Sequence, residues 1–265
     1  MFCVASLVPS PPVLVPELEG TAGALGDGPV ATLRAAVLRA AGELAARASR
    51  WIVVGVAEPE EVSGGAVAER VIGSDAVGTF RGYGVDVRVG LTGSMAERVV
   101  YDPVLDIDPL LPLPALIAGW LREQVAPEAV AECRLISADA SADECLTFGR
   151  YLRTELDAEA EPVAVLVVGD GAATLSLKAP RYLDERAEGV QEVIDRALGA
   201  GDREALAALD THLLAELDVA GRPAYQVLAG LFAVDPVDPE VETLYAAAPF
   251  GVAYHVSVWR PGAAA

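Results

Sequence analysis

Apolar and polar positions follow two rhythms along this chain, and the changes of rhythm mark its elements. Met1 to Val8 is a mostly apolar run that ends at Pro9-Ser-Pro-Pro12, the pattern of a strand covered on both faces and closed by a proline turn. From Val30 the spacing changes to three and four, through Leu33, Val37, Ala41, Leu44 and Ala48. That predicts an amphipathic helix of about five turns, with Asp27 as N-cap and Pro29 in its first turn. Trp51-Ile-Val-Val-Gly-Val56 returns to an unbroken apolar run. Strand, helix, strand predicts an α/β fold with a mostly parallel central sheet and flanking helices.

Between Glu58 and Val85 the glycines at 64, 65, 73, 78, 82 and 84 break any long helix, which predicts a pair of strands or a long loop. Val85 to Leu91 alternates as a strand. After the prolines of the segment 102–114 come a helix through Trp120 and Arg122, a strand near Arg134–Ser137, a helix from Ala142 to Leu156 and a strand from Val163 to Val168. Helices are expected at Asp184–Leu198, Asp202–Leu209 and Ala224–Phe232. Val241–Tyr245 and Val252–Trp259 read as strands of a C-terminal hairpin. No linker or repeat interrupts the series, so residues 1–265 are expected to form a single domain.

Composition narrows the partners. A formal charge of −20 repels phosphate backbones and anionic lipid, so neither nucleic acid nor a membrane is an expected partner. No apolar run approaches the roughly 20 residues that span a bilayer. The amino terminus lacks a basic n-region and a cleavage motif. Cys3, Cys133 and Cys145 have no metal-ligand or disulfide spacing. A cytoplasmic protein is expected. Its partner is expected to be a small molecule or another protein, a second copy of itself included.

The richest segment is the apolar strand Val163–Val168 running into Gly169-Asp170-Gly171, since open α/β sheets place their sites at the carboxyl ends of strands. Together with Leu7–Glu17, Val53–Pro59, Lys178–Asp184 and Ala248–Tyr254, it resembles the class III extradiol ring-cleavage dioxygenases, specifically their B-subunit (LigB-like) domain. The resemblance implies a LigB-like fold. In active relatives, two histidines of the first two segments help hold Fe(II), and a Ser-His pair after the glycine turn supplies an acid/base. Here Ser10 stands at the first position, Glu58 lies near the second, and Ala172-Ala173 replaces the pair. The family's Asp-His-Gly stretch corresponds to Asp106–Pro112, again without histidine.

Without imidazoles the expected cofactor is none, with a harder cation such as Mg²⁺ or Mn²⁺ on a carboxylate site as the alternative. The candidate pocket residues are Ser10, Glu58, Asp170, Lys178 and Arg181. Asp170 can orient a ligand or cap turn amides. Lys178, the one lysine, and Arg181 can hold an anion or simply be solvated. Ser10 reads as a turn hydroxyl with no base beside it. Glu60, Glu61, Asp139 and Asp143 read as surface carboxylates or additional ligands, and the alternative site is Glu58 with Asp139 and Asp170. His212 reads as an ordinary helical residue, and His255 as a packed or surface residue of the last strand. The chain is therefore expected to be a divergent dioxygenase-like protein that keeps a pocket and lacks iron-dependent ring cleavage. The alternative is a metal-dependent enzyme, a dioxygenase or a hydrolase or lyase, with a rebuilt carboxylate site.

Overall fold

The computed structural model of the protein describes residues 1–20, 28–62, 69–95 and 106–262. In chain order the elements are β1 (Phe2–Val8), α1 (Pro29–Ala45), β2 (Arg50–Ala57), β3 (Glu69–Ile72), β4 (Val77–Thr79), β5 (Arg88–Gly90), α2 (Leu113–Val125) and β6 (Val130–Ser137). There follow α3 (Ala142–Asp157), β7 (Val163–Val168), α4 (Ala187–Ala200), α5 (Arg203–Ala207), α6 (Thr211–Glu216), α7 (Arg222–Phe232), β8 (Glu240–Ala247) and β9 (Tyr254–Arg260).

Seven strands form one sheet in the order β3-β6-β2-β7-β1-β9-β8, and β4 pairs with β5 apart from it. The inner strands β6, β2, β7 and β1 are parallel. The outer strands are antiparallel to their neighbours. The expected mostly parallel sheet is thus a mixed one. Its antiparallel margin beside β1 follows from the C-terminal hairpin, because β8 and β9 are joined by a short return and must run in opposite directions.

Period-two alternation sorts each inner strand between two cores. In β7, Ala164, Leu166 and Val168 face α1 and α2, whereas Val163, Val165 and Val167 face α3, α4 and α7. With both faces covered, β7 is wholly apolar. In β1 the one hydroxyl is that of Ser6, which donates to Ala40 O of α1 at 2.9 Å. On the second face, α3 and α7 cross so closely that a Cβ on Gly149 would collide with Val227 O, and one on Gly230 with Leu146 O.

The expected N-cap Asp27 lies outside the described residues, and Gly28 at φ 123° takes the cap position. Strand β5 is shorter than the alternation of residues 85–91 predicts, because Val85 N donates to Phe80 O in the turn that follows β4. The helix expected from Asp184 begins at Ala187, since the Asp184 carboxylate accepts from Arg186 N at 2.9 Å ahead of it. Gly199 lies inside that helix and Gly201, at φ 68°, closes it, a left-handed position that favours glycine. Among the described residues no helix is long and apolar enough to cross a membrane.

Candidate functional site

β1 and β7 are neighbours whose connections leave toward opposite faces of the sheet, β1 into α1 and β7 into α4. Such a switch point opens a crevice beyond the strand ends. Gly169-Asp170-Gly171 sits there because nothing larger than glycine fits on either side of the aspartate. A Cβ on Gly169 would lie 2.9 Å from Gly221 Cα, and one on Gly171 would lie 2.6 Å from Gln191 Oε1. The turn is then pinned by its backbone: Gly169 N donates to Val8 O at 3.0 Å, Gly171 N to Ala253 O at 2.8 Å, and Gly221 N to Asp170 O at 2.7 Å.

The sequence-predicted residues Ser10 and Asp170 meet at this point. Asp170 accepts from Ser10 N at 2.9 Å through one oxygen and from Ser10 Oγ at 2.6 Å through the other. Burial pushes the Asp170 carboxyl above the ordinary carboxylate range, against the pull of those two hydrogen bonds. The Tyr225 hydroxyl donates to Gly169 O at 3.3 Å. Its phenol is raised well above the usual value, first by burial and then by the carboxylates of Asp170 and Asp195. Burial and Asp170 act likewise on Tyr254.

A histidine does stand close to this turn, though from the last strand. His255 of β9 is 2% exposed, and its Nδ1 lies 3.0 Å from Asp195 Oδ1 on α4. The same oxygen accepts from Gln191 Nε2 at 3.1 Å, and Gln191 Oε1 accepts from Ala172 N at 2.9 Å. A carboxylate only accepts, so Nδ1 carries a proton in this contact. The buried Nε2 has no hydrogen-bond partner among the described residues. Asp195 also borders an open cleft of about 500 Å³ lined by Asp184, Glu185, Glu188 and Glu192. Sequence reasoning missed this chain of groups because Asp195 and His255 are 60 positions apart. Asp195 by itself reads as one more acidic residue on a helix. A polar residue inside the apolar alternation of β9 was the available signal.

Glu58 leads to a different space. At the carboxyl end of β2 it lines a cleft of about 570 Å³ with Tyr83, Leu110, Leu113, Ala138 and Ala220 among the other walls. Burial raises the Tyr83 phenol. Arg222 lies beneath: buried, it donates to Ala138 O at 2.8 Å, to Ala140 O and to Gln226 Oε1 at 3.0 Å. Desolvation lowers its guanidinium from the ordinary value. It ties the exit of β6, where Ala138 lines the cleft, to the start of α7.

The remaining candidates are placed elsewhere. Lys178 is exposed on its loop, and Arg181, also exposed, pairs with Asp218 at 3.1 Å; neither lines either cleft. Asp139 is exposed and accepts from Ser137 Oγ. Asp143 lies exposed in the first turn of α3, Glu61 pairs with Arg70 at 3.7 Å, and His212 is exposed on α6. Cys133 and Cys145 are buried, Cys3 partly so.

The Fe(II) that the resemblance implies does not fit these donors. Ser10 and Asp170 satisfy one another, Glu58 faces its own cleft, and among the described residues no three His, Cys, Asp or Glu side chains gather to hold an ion. An iron oxygenase site needs two imidazoles and a carboxylate on one face.

No family model and no curated protein matches the sequence. Among solved structures, the chain is similar to an uncharacterized Escherichia coli K12 protein, JW3007, at 14% identity and a TM-score of 0.53, over 97% of this chain and 99% of that one. The likeness extends over nearly the full length of both and is a likeness of fold.

Proposed function

We propose that the chain is a divergent relative of the class III extradiol dioxygenases, with a LigB-like fold, that does not perform iron-dependent ring cleavage and uses the cleft beside Glu58 to bind a small molecule. The observation that carries the reading is the closed pair of Ser10 and Asp170 at the switch point. Where the resemblance expects an imidazole aimed at a metal, a hydroxyl is committed to a half-buried carboxylate. A cleft of about 570 Å³ remains at the same edge of the sheet, within the roughly 300 to 1,000 Å³ range of small-molecule sites. The three unpaired cysteines fit a reducing compartment. The carboxylate alternative gains no support, since Glu58, Asp139 and Asp170 do not form a three-ligand group.

The test is metal analysis of protein purified without chelators, together with an oxygen-consumption assay on simple catechols. The expected result is iron far below one equivalent and no ring-opened product, even after anaerobic addition of Fe(II). Stoichiometric iron with ring cleavage overturns the reading.

A further inference from the structure

Resting on the binding role of the Glu58 cleft, we infer that its ligand is an organic ammonium: a protonated amine on an apolar body. Leu110, Leu113, Pro114 and Ala220 give the walls their apolar part, the larger share of a mixed surface. Their polar side chains are Glu58, Glu61, Thr79 and Tyr83. Thr79 is engaged, donating to Asp86 at 2.9 Å and accepting from Arg81 N at 3.2 Å. Glu61 is paired with Arg70. Among the described residues, Glu58 has neither an ion pair nor a side-chain hydrogen bond, and no lysine, arginine or histidine lines the cleft.

This inventory discriminates by charge. A carboxylate or phosphate ligand entering this open cleft would meet the exposed Glu58 with no cation among the described wall residues to offset it, and like charges repel. A neutral hydrocarbon gains nothing from Glu58, whose exposed carboxylate stays in water. An ammonium group answers both, because it brings only donors and a positive charge to a group that only accepts. Tyr83 flanks the site, and its ring can lie against the ligand body or the cation. The net charge of −20 adds a long-range attraction for any cation, so a test must separate the site from the field.

Cyclohexylmethylamine, cyclohexylmethanol and cyclohexanecarboxylate share one body and differ in head group. Ligand-observed NMR titrations of the full chain at neutral pH and physiological salt should show the amine binding about tenfold more tightly than the alcohol, as one partly desolvated charge-assisted contact gives, and no binding of the carboxylate. Glu58→Gln removes one charge of the many and should bring the amine down to the alcohol. Tyr83→Ala should weaken amine and alcohol alike, with the unfolding midpoint of each variant checked against the parent. An amine that binds no better than the alcohol, or a preference that survives Glu58→Gln, overturns the inference and leaves cleft binding of the alcohol standing. Failure of all three probes overturns it as well, and the iron and ring-cleavage assays judge the wider reading separately.

Discussion

Ser10 and Asp170 set the energetics of the crevice. Removing the hydroxyl in Ser10→Ala leaves one oxygen of a half-buried carboxylate without its partner, so a loss of about 1 kcal/mol is expected from urea unfolding. Asp170→Asn tests the charge itself. Because the folded-state value of Asp170 is raised, the folded chain keeps a proton that the unfolded chain releases as pH climbs past the ordinary aspartate range. Stability therefore falls across that window and stays lower above it. Relative to the parent, Asp170→Asn should be nearly neutral at acid pH and should gain stability toward neutral pH. A variant that loses stability at neutral pH would show that the ionised carboxylate is favoured by its surroundings. Ser10 and Asp170 were both legible as site residues from their segments, yet nothing in the sequence joined them. Their bond bridges 160 positions and exists only because β1 and β7 are adjacent in the sheet. The Asp195–His255 pair was illegible for the same reason, and Lys178 stood out by rarity, which carries no information on placement.

Between elements, the tightest constraint is the crossing of α3 and α7. Alanine normally improves a helix over glycine by about 1 kcal/mol. At Gly149 or Gly230 the added methyl group would strike the backbone of the other helix, so the sign should reverse, with losses of roughly 1 to 3 kcal/mol or more. Gly42 of α1 has nothing within 4 Å of such a Cβ, and Gly42→Ala should keep the ordinary sign. Thermal unfolding of the three variants decides the matter, and a uniform gain would mean that the two helices do not touch as described. The strands β1, β2 and β7 could be read directly, since burial on both faces leaves almost only apolar side chains in them, Ser6 and the leading Arg50 apart. α3 could be read from its period and from Ser141 and Glu144, which form a reciprocal capping box. Of the small β4–β5 pair, β5 could be read from the alternation of residues 85–91 but the three-residue β4 could not be bounded, because it is too short to establish a period. Its position is set by tertiary bonds such as Asp108 N to Val77 O at 2.8 Å.

Over the whole molecule, charge opposes compactness. Added salt screens the mutual repulsion within a chain of charge −20, while its exposed ion pairs contribute little to begin with. Raising ionic strength from about 0.02 M to about 0.2 M at neutral pH should therefore raise the melting temperature; a fall would show that the ion pairs outweigh the repulsion. At the acid end, arginine partners hold Asp86 and Asp184 down to about 2. Their contribution is present above the ordinary aspartate value and disappears as pH drops toward about 2. The layered α/β plan was legible from the alternation of strand and helix patterns. The mixed sheet was not, because strand order is decided by which faces the connections cover.

That order also has a history in time. β1 lies between β7 and β9, so this early strand meets its first neighbour only after Val163–Val168 has been synthesised and its second only after Tyr254–Arg260. On the ribosome β1 must wait as an unpaired apolar segment, exposed to other nascent chains and to chaperones. The sheet then closes around it in a late, non-local step of the kind that slows folding.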